Sequence, residues 1–262
     1  MFDVHFVLRP PTSVVWRKMY QQRSYRNLVK TETLTAFQVV VKETDLLVHA
    51  EKNLAEETRE LVLEHRGYVE AFIKAHPDFM AALNPWRLAG PAPKIVSDMV
   101  SAGINAGVGP MAAVAGAIAQ HVGLGLLRIT SQVIVENGGD IFIKTEVPVT
   151  VGILAGKSPL SMQLGIRVRC EQQPVAVCTS SGTVGHSLSF GKADAVCVIA
   201  DSCAVADAAA TAIGNLIQSP ANINDAITAA KRIDDIGGII IIAGNKIGIW
   251  GDLEVVPLIN PP

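Results

Sequence analysis

From residue 131 onward the chain is written in short runs of Val and Ile separated by glycine-bearing turns. "SQVIVENGGDIFIK" is the clearest of these stretches. Its two apolar runs flank Asn137-Gly138-Gly139, and glycine supplies the positive φ that a tight hairpin turn demands. The spacing therefore predicts an antiparallel hairpin. "VTVGIL", "MQLGIRVRC", "PVAVCTS" and "DAVCVIAD" read as further strands, and "GGIIIIAGNKIGIWG" as a second hairpin across Gly244-Asn245. Strands of this kind form antiparallel sheets, and their apolar faces need covering layers.

The covering layers are legible elsewhere. Residues 34–50 predict two short strands joined near Glu43-Thr44-Asp45. A long amphipathic helix follows from about Asn53 to His76, with Leu54, Leu61, Val62, Val69, Phe72 and Ile73 on one stripe. Pro77 marks its end. A helix is expected over about 94–102. Pro110 then opens an Ala-rich helix reaching about His121, whose small residues allow close backbone approach. Ser202 is placed to cap a helix over about 203–217, and Ser219 with Pro220 to start another. The expected class is α+β: mixed, mostly antiparallel sheets with packed helices, in a single domain over 1–262. The Pro/Gly-rich "NPWRLAGPAP" (84–93) is a candidate lobe boundary. Residues 1–33 read as an irregular arm, whose Arg and Tyr side chains could touch an anion or a partner chain.

Composition excludes several function classes. Apolar residues make up 49% of the 262 and charged residues 18%, so a substantial core is expected. A net charge of -2 gives no support to a nucleic-acid partner or an anionic membrane surface. Residues 99–127 carry no Asp, Glu, Lys or Arg but contain six glycines and Pro110. That is the composition of a buried helix of small residues, not of a lipid-facing span. The opening "MFDVHFVLRPP" lacks the pattern of a signal peptide. The four cysteines form no CxxC motif, which fits buried, reduced thiols and a cytoplasmic setting.

Three stretches could carry chemistry. In "SCAVADAAATAIGN", Asp207 and Thr211 are four apart and share one helix face amid Ala, Val and Ile. A carboxylate and a hydroxyl so placed are candidate hard oxygen ligands for Mg²⁺. The plainer reading is an Asp stabilised at a helix N-terminus. In "TSSGTVGHSLSFG" (179–191), Thr179, Ser180, Ser181 and Thr183 offer hydroxyls, and Gly182 and Gly185 let backbone N–H groups approach an anion. His186 could contact a phosphate or act as a base. A serine nucleophile at Ser181 or Ser187 is the third alternative. In "NGGD", Gly138 and Gly139 serve the turn and would let a flat ring lie on the backbone, while Asp140 follows them.

The order of these stretches is similar to that of the FAD:protein FMN transferase family, ApbE. There an "nlGGD" turn, a "TSG" loop, a His-containing "HIIDPRTG" segment and an "ADALaTA" helix recur in sequence. The resemblance spans roughly residues 100–218. "ETDL" near the N-terminus and "CTSSGTVGHS" are similar to a small soluble subfamily of archaea and sulfate-reducing bacteria. The resemblance implies an ApbE-like, T-fold-related architecture. It also implies Mg²⁺ ligands at Asp207 and Thr211, and nucleotide contacts at Thr179, Ser180, Ser181, Gly182 and His186 and at the Gly138-Gly139-Asp140 turn. FAD or FMN is the implied cofactor, and a small phosphate-bearing molecule or a partner protein the implied partner. The subfamily adds an implied link to anaerobic sulfur metabolism, specifically homocysteine formation.

Two departures accompany the likeness. "SLSFGKAD" follows His186, so the acidic and arginine residues of DPRTG are absent. The family's "LGGIAKGYAVD" aligns with "VGPMAAVAGAIA" (108–119), which has no charged side chain. An accessory or binding protein without flavin transferase activity is therefore the alternative expectation. The hairpins and the apolar "VVPLINPP" end are compatible with a homodimer.

Overall fold

The computed structural model describes residues 34–170, 172–183 and 189–258. The expected N-terminal arm and His186 lie outside the described residues.

The chain opens with β1 (Thr35–Val41) and β2 (Thr44–Ala50), paired antiparallel around a turn at Lys42 and Glu43. Helix α1 (Ala55–Ala75) lies behind them. Arg66 holds it there, donating to Thr44 Oγ1 and Glu43 Oε2, each at 2.7 Å. A single helical turn, Asp78–Ala81, ends the excursion begun at Pro77. The 84–93 connection is irregular, and Trp86 and Leu88 pack on the main core. Helix α2 (Lys94–Ala106) stops at Gly107, whose φ of 73° is left-handed and leaves glycine the ready choice. Pro110 opens a 3₁₀ turn, Pro110–Ala113, and α3 (Val114–Leu126) continues from it.

Strands β3 (Val133–Asn137) and β4 (Asp140–Lys144) form the expected hairpin, with Asn137 facing Asp140 across Gly138-Gly139. Then come β5 (Val149–Gly152), β6 (Leu164–Val168), β7 (Val175–Ser180) and β8 (Ala195–Ala200). Helix α4 (Cys203–Leu216) and α5 (Ile223–Ala230) precede β9 (Ile236–Ala243), β10 (Lys246–Gly251) and β11 (Glu254–Pro257).

The strands make two sheets. Eight run in the order β1-β2-β3-β4-β7-β8-β9-β10, and three in the order β11-β6-β5, with antiparallel pairing throughout. Period-two alternation divides the large sheet's side chains between two cores. Val48, Val135, Phe142, Cys178, Val198 and Ile241 face the helices. Ile134, Ile143, Val177, Cys197, Ile240 and Ile242 face the small sheet, against Val151, Ile166 and Val168. Each fully buried aliphatic side chain contributes about 1.5–3 kcal/mol. The central strands are apolar on both faces, which is why they read as near-continuous apolar runs.

Residues 99–127 resolve into two helices bent by 107° and largely packed in the core. Among the described residues no single helix is long and apolar enough to cross a membrane. All four cysteines are buried and free. The apolar end anticipated as a surface is partly consumed within the chain, because Val255 and Val256 pair with β6 and are half-buried.

Ser202 caps α4 as its sequence suggested, its hydroxyl accepting from the Val205 N–H at 3.4 Å and donating to Gln120 at 3.0 Å. Ser202→Ala is expected to lower stability by about 1 kcal/mol, read as a lower urea midpoint at unchanged slope.

Candidate functional site

The three stretches singled out by sequence meet at one end of the large sheet. The GGD turn connects β3 to β4, and β4 pairs with β7 so that Asp140 faces Cys178. One residue on, the Thr179 N–H donates to the Gly139 carbonyl at 3.1 Å. The GGD turn and the "TSS" strand end are thus joined by backbone. Gly139 is needed there, because its φ of 156° disfavours a side chain and a Cβ would lie 3.2 Å from the Thr179 carbonyl.

Helix α4 crosses the helix-side face of β7. Cys203, Asp207, Thr211 and Gly214 recur every three or four residues and lie along one stripe. Cys178 Sγ–H donates to the Cys203 carbonyl at 3.4 Å, and the Ser180 hydroxyl lies 3.7 Å from where a Cβ on Gly214 would stand. Residues 178–180 therefore run alongside the stripe that carries Asp207 and Thr211. Both of those residues are half-buried. Ser181 accepts from the Thr183 N–H at 3.1 Å, and the Gly182 N–H donates to the Ala193 carbonyl at 2.9 Å. The start of the loop is thereby folded back on itself.

Asp207 has a partner that sequence did not reveal. Its Oδ2 accepts the Gly116 N–H at 2.9 Å, and the Ala115 N–H also bonds to this carboxylate. These are first-turn donors of α3, whose own N-cap, Ala113, has no side chain to offer. Asp207 thus closes the start of a helix from another helix. Gln120 returns the contact: its Oε1 accepts the Cys203 N–H at the start of α4 at 2.7 Å. Each helix supplies an acceptor for the other's free N–H groups. The plainer sequence reading placed Asp207 at the start of its own helix, but the helix end it meets is that of α3.

The electrostatics follow from this enclosure. Burial raises Asp207 to about 7, against the two backbone N–H groups that favour its charge. Asp140 stands well above the usual carboxylate range, raised first by burial and then by the Asp207 charge. Burial likewise lifts the Cys178 thiol well up and the Cys197 thiol to about 11, so neither is a thiolate at neutral pH. Asn137 completes this corner by donating from Nδ2 to the Ala115 carbonyl at 3.0 Å.

The donor set suits a hard divalent cation. Two carboxylates raise each other's affinity for positive charge, and a carboxylate has about four lone-pair sites, so two backbone N–H bonds do not exhaust Asp207 as an acceptor. The Thr211 hydroxyl lies one turn along. Among the described residues no three His, Cys, Asp or Glu side chains gather closely enough to hold a metal by themselves. Mg²⁺ characteristically takes one or two carboxylates and completes its shell with water and ligand phosphate. Bound there, it would neutralise phosphate charge.

Ala115, Gly116 and Gln120 were missed from sequence because they carry no charge. The only signal available was the glycine at position 116 inside an Ala-rich helix.

Comparison with known proteins identifies the family and the fold. Residues 26–243 match the family model described as AbpE bacteria. A UPF0280 protein of Methanococcus maripaludis is 40% identical over 222 residues, covering 82% of this chain and 90% of that protein. A UPF0280 protein of Methanocaldococcus jannaschii is 41% identical over 221 residues, covering 82% and 90%. In fold, the chain is similar to the ApbE protein of Thermotoga maritima, with a TM-score of 0.52 at 14% identity over 82% of this chain and 96% of that one. It is also similar to the apo flavinyl transferase ApbE of Pseudomonas stutzeri, with a TM-score of 0.52 at 13% identity over 83% and 94%. On the family match and these identities, the chain belongs to the AbpE-bacteria family and stands among the UPF0280 proteins.

Proposed function

We propose that the protein binds a flavin nucleotide, or another phosphate-bearing ligand, between the Gly138-Gly139-Asp140 turn, the Thr179-Ser180-Ser181-Gly182 strand end and the Asp207/Thr211 face of α4, with Mg²⁺ held at Asp207 and Thr211. The observation that carries this reading is the convergence of the three stretches on two mutually repelling carboxylates, Asp140 buried and Asp207 half-buried. Such a pair is stabilised by a cation, and a cation there would attract phosphate. His186 belongs to the same reading as a phosphate contact. The two glycines of the GGD turn, bare of side chains, would let a flat ring lie against the backbone.

A second reading rests on a specific observation. The 108–119 segment brings backbone N–H groups to the site and no charged side chain. Phosphoryl and nucleotidyl transfer lean on charge placed at the phosphates. Binding without flavin transfer, in an accessory role, fits that segment. The likeness to the archaeal subfamily supports a role in anaerobic sulfur metabolism, at homocysteine formation.

The test is retention of FAD and FMN by the purified protein with and without Mg²⁺, followed by chromatography of the flavins. Mg²⁺-dependent retention is expected, with Asp207→Asn weakening it about tenfold or more, since hydrogen bonds and pairings to a charge contribute about 1.5–3 kcal/mol. The asparagine keeps an acceptor for the Gly116 N–H, so loss of binding is separable from loss of folding. Release of AMP from FAD would favour the enzyme, and unchanged FAD the accessory role. Equal retention by the variant, or none by the wild type, would reject the flavin reading.

A further inference from the structure

A cavity of about 440 Å³ lies among α1, α2 and α3. It is lined by Glu64, His65 and Tyr68 from α1, Lys94 and Ile95 from the start of α2, and His121 from α3. Its volume is in the range of small-molecule sites.

The walls differ in charge. Lys94 ion-pairs with Asp98 one turn along its own helix, and its side chain is 80% exposed. Glu64 accepts the Tyr68 hydroxyl at 3.0 Å, again one turn along its own helix. Both bonds are internal to a helix, and Glu64 and Lys94 do not bond to each other across the cavity. Between them lie the two imidazoles, His65 and His121, and the Asp98 carboxylate that Lys94 and His121 share. His121 Nε2 lies 2.8 Å from Asp98 Oδ2, and the His65 ring packs edge-on against the His121 ring at 5.0 Å between centroids. Both imidazoles are therefore fixed. His65 Nδ1 is buried without a hydrogen-bond partner, and burial, then the neighbouring His121, push its pKa down. With its pKa lowered in this way, His65 contributes a neutral wall. Ile95 and the Tyr68 ring add apolar surface. On the Lys94 side, α2 begins at Pro93 without a side-chain cap, which adds the positive end of a helix to the ammonium.

A ligand of one sign would meet its own charge on one of these walls. A ligand with both signs meets a complement on each. We propose that this cavity binds a small zwitterion of the α-amino-acid type, its carboxylate toward Lys94 and the start of α2, its ammonium toward Glu64, and its side chain against Ile95 and the aromatic rings. The proposal goes beyond the flavin reading and does not rest on it.

Titration calorimetry of the full chain with each of the twenty common amino acids tests it. At least one is expected to bind with a Kd at or below about 1 mM. The corresponding decarboxylated amine and deaminated acid should each bind about tenfold more weakly, and Glu64→Gln and Lys94→Gln should each weaken the amino acid about tenfold. Both side chains are at the rim, and circular dichroism checks that the variants fold. Asp207→Asn should leave amino-acid binding unchanged, and Glu64→Gln should leave flavin retention unchanged, so the two readings fail separately. The idea is overturned if no amino acid binds, if binding survives both cavity variants, or if inorganic phosphate competes as well as the amino acid and depends on Lys94 alone.

Discussion

Gly116→Ala is expected to cost about 3 kcal/mol of folding stability, near the upper end of what overpacking alone produces. The added carbon would stand 2.3 Å from the Cys203 carbonyl oxygen and 2.8 Å from both the Cys203 carbonyl carbon and Asp207 Cβ. Two of those atoms are backbone, so no rotamer change relieves the clash. Helix α4 would have to withdraw from α3, and the Gly116 N–H would move away from Asp207 with it. Urea unfolding should show a lower midpoint. Gly67→Ala is the matched control, because Gly67 lies inside α1 with nothing within 4 Å of the added carbon. That change should stabilise the protein by roughly 0.5–1 kcal/mol through helix propensity alone. A Gly116→Ala protein as stable as wild type would mean that α3 and α4 do not approach as closely as described.

The second large effect is a dependence of stability on pH, with the sign opposite to that of a salt-bridged carboxylate. Asp207 has a folded-state pKa of about 7 against an ordinary value of 3.8. Between those values the folded protein binds the proton and the unfolded chain does not. Stability therefore falls as pH rises across the window and levels off above about 7. The shift corresponds to at most about 4 kcal/mol. Asp140 acts in the same sense, its pKa also being raised by burial and by Asp207. His49 and His65, both lowered by burial, oppose this trend below their ordinary value of 6.5. The Asp207 contribution is best read as the difference between wild type and Asp207→Asn, measured by urea titration from pH 5 to 8 without divalent cation. The variant should gain on the wild type as pH rises. Millimolar Mg²⁺ should restore the wild type at pH 8, because a bound cation favours the ionised pair. A wild type that tracks the variant at every pH would contradict the buried carboxylate.

The strands were legible because their signals are local. Asn137-Gly138-Gly139 and Gly244-Asn245 mark turns by chemistry that only certain residues provide, and the β1 alternation around Val39 and Val41 gives its facing directly. The Asp207/Thr211 face was legible because period 3.6 places residues without reference to the rest of the fold. What sequence withheld depends on distant partners. Nothing in "VAGAIA" announces that its N–H groups are met by a carboxylate 91 positions away. The pairing of β4 with β7, which sets β5 and β6 aside in another sheet, was likewise invisible. Strand β11 went unrecognised because Pro257 and the short run before it resemble a tail. The cavity cluster was missed because His65, Lys94 and His121 sit on three helices, each ordinary in its own context.

The small sheet has a consequence for folding on the ribosome. Its central strand, β6, emerges well before the strand that completes it; Arg169, just past β6, and Glu254, which opens β11, are 85 residues apart. At typical translation speeds of 5–20 residues per second, β6 waits roughly 4–17 s with one edge open. An open edge is where nascent chains pair wrongly with one another. Arg167 and Arg169 stand along that edge during the delay, and like charge on neighbouring chains discourages such pairing. When Glu254 arrives it ion-pairs with both. The same two arginines would then serve first as guards and later as the clasp that seals the sheet.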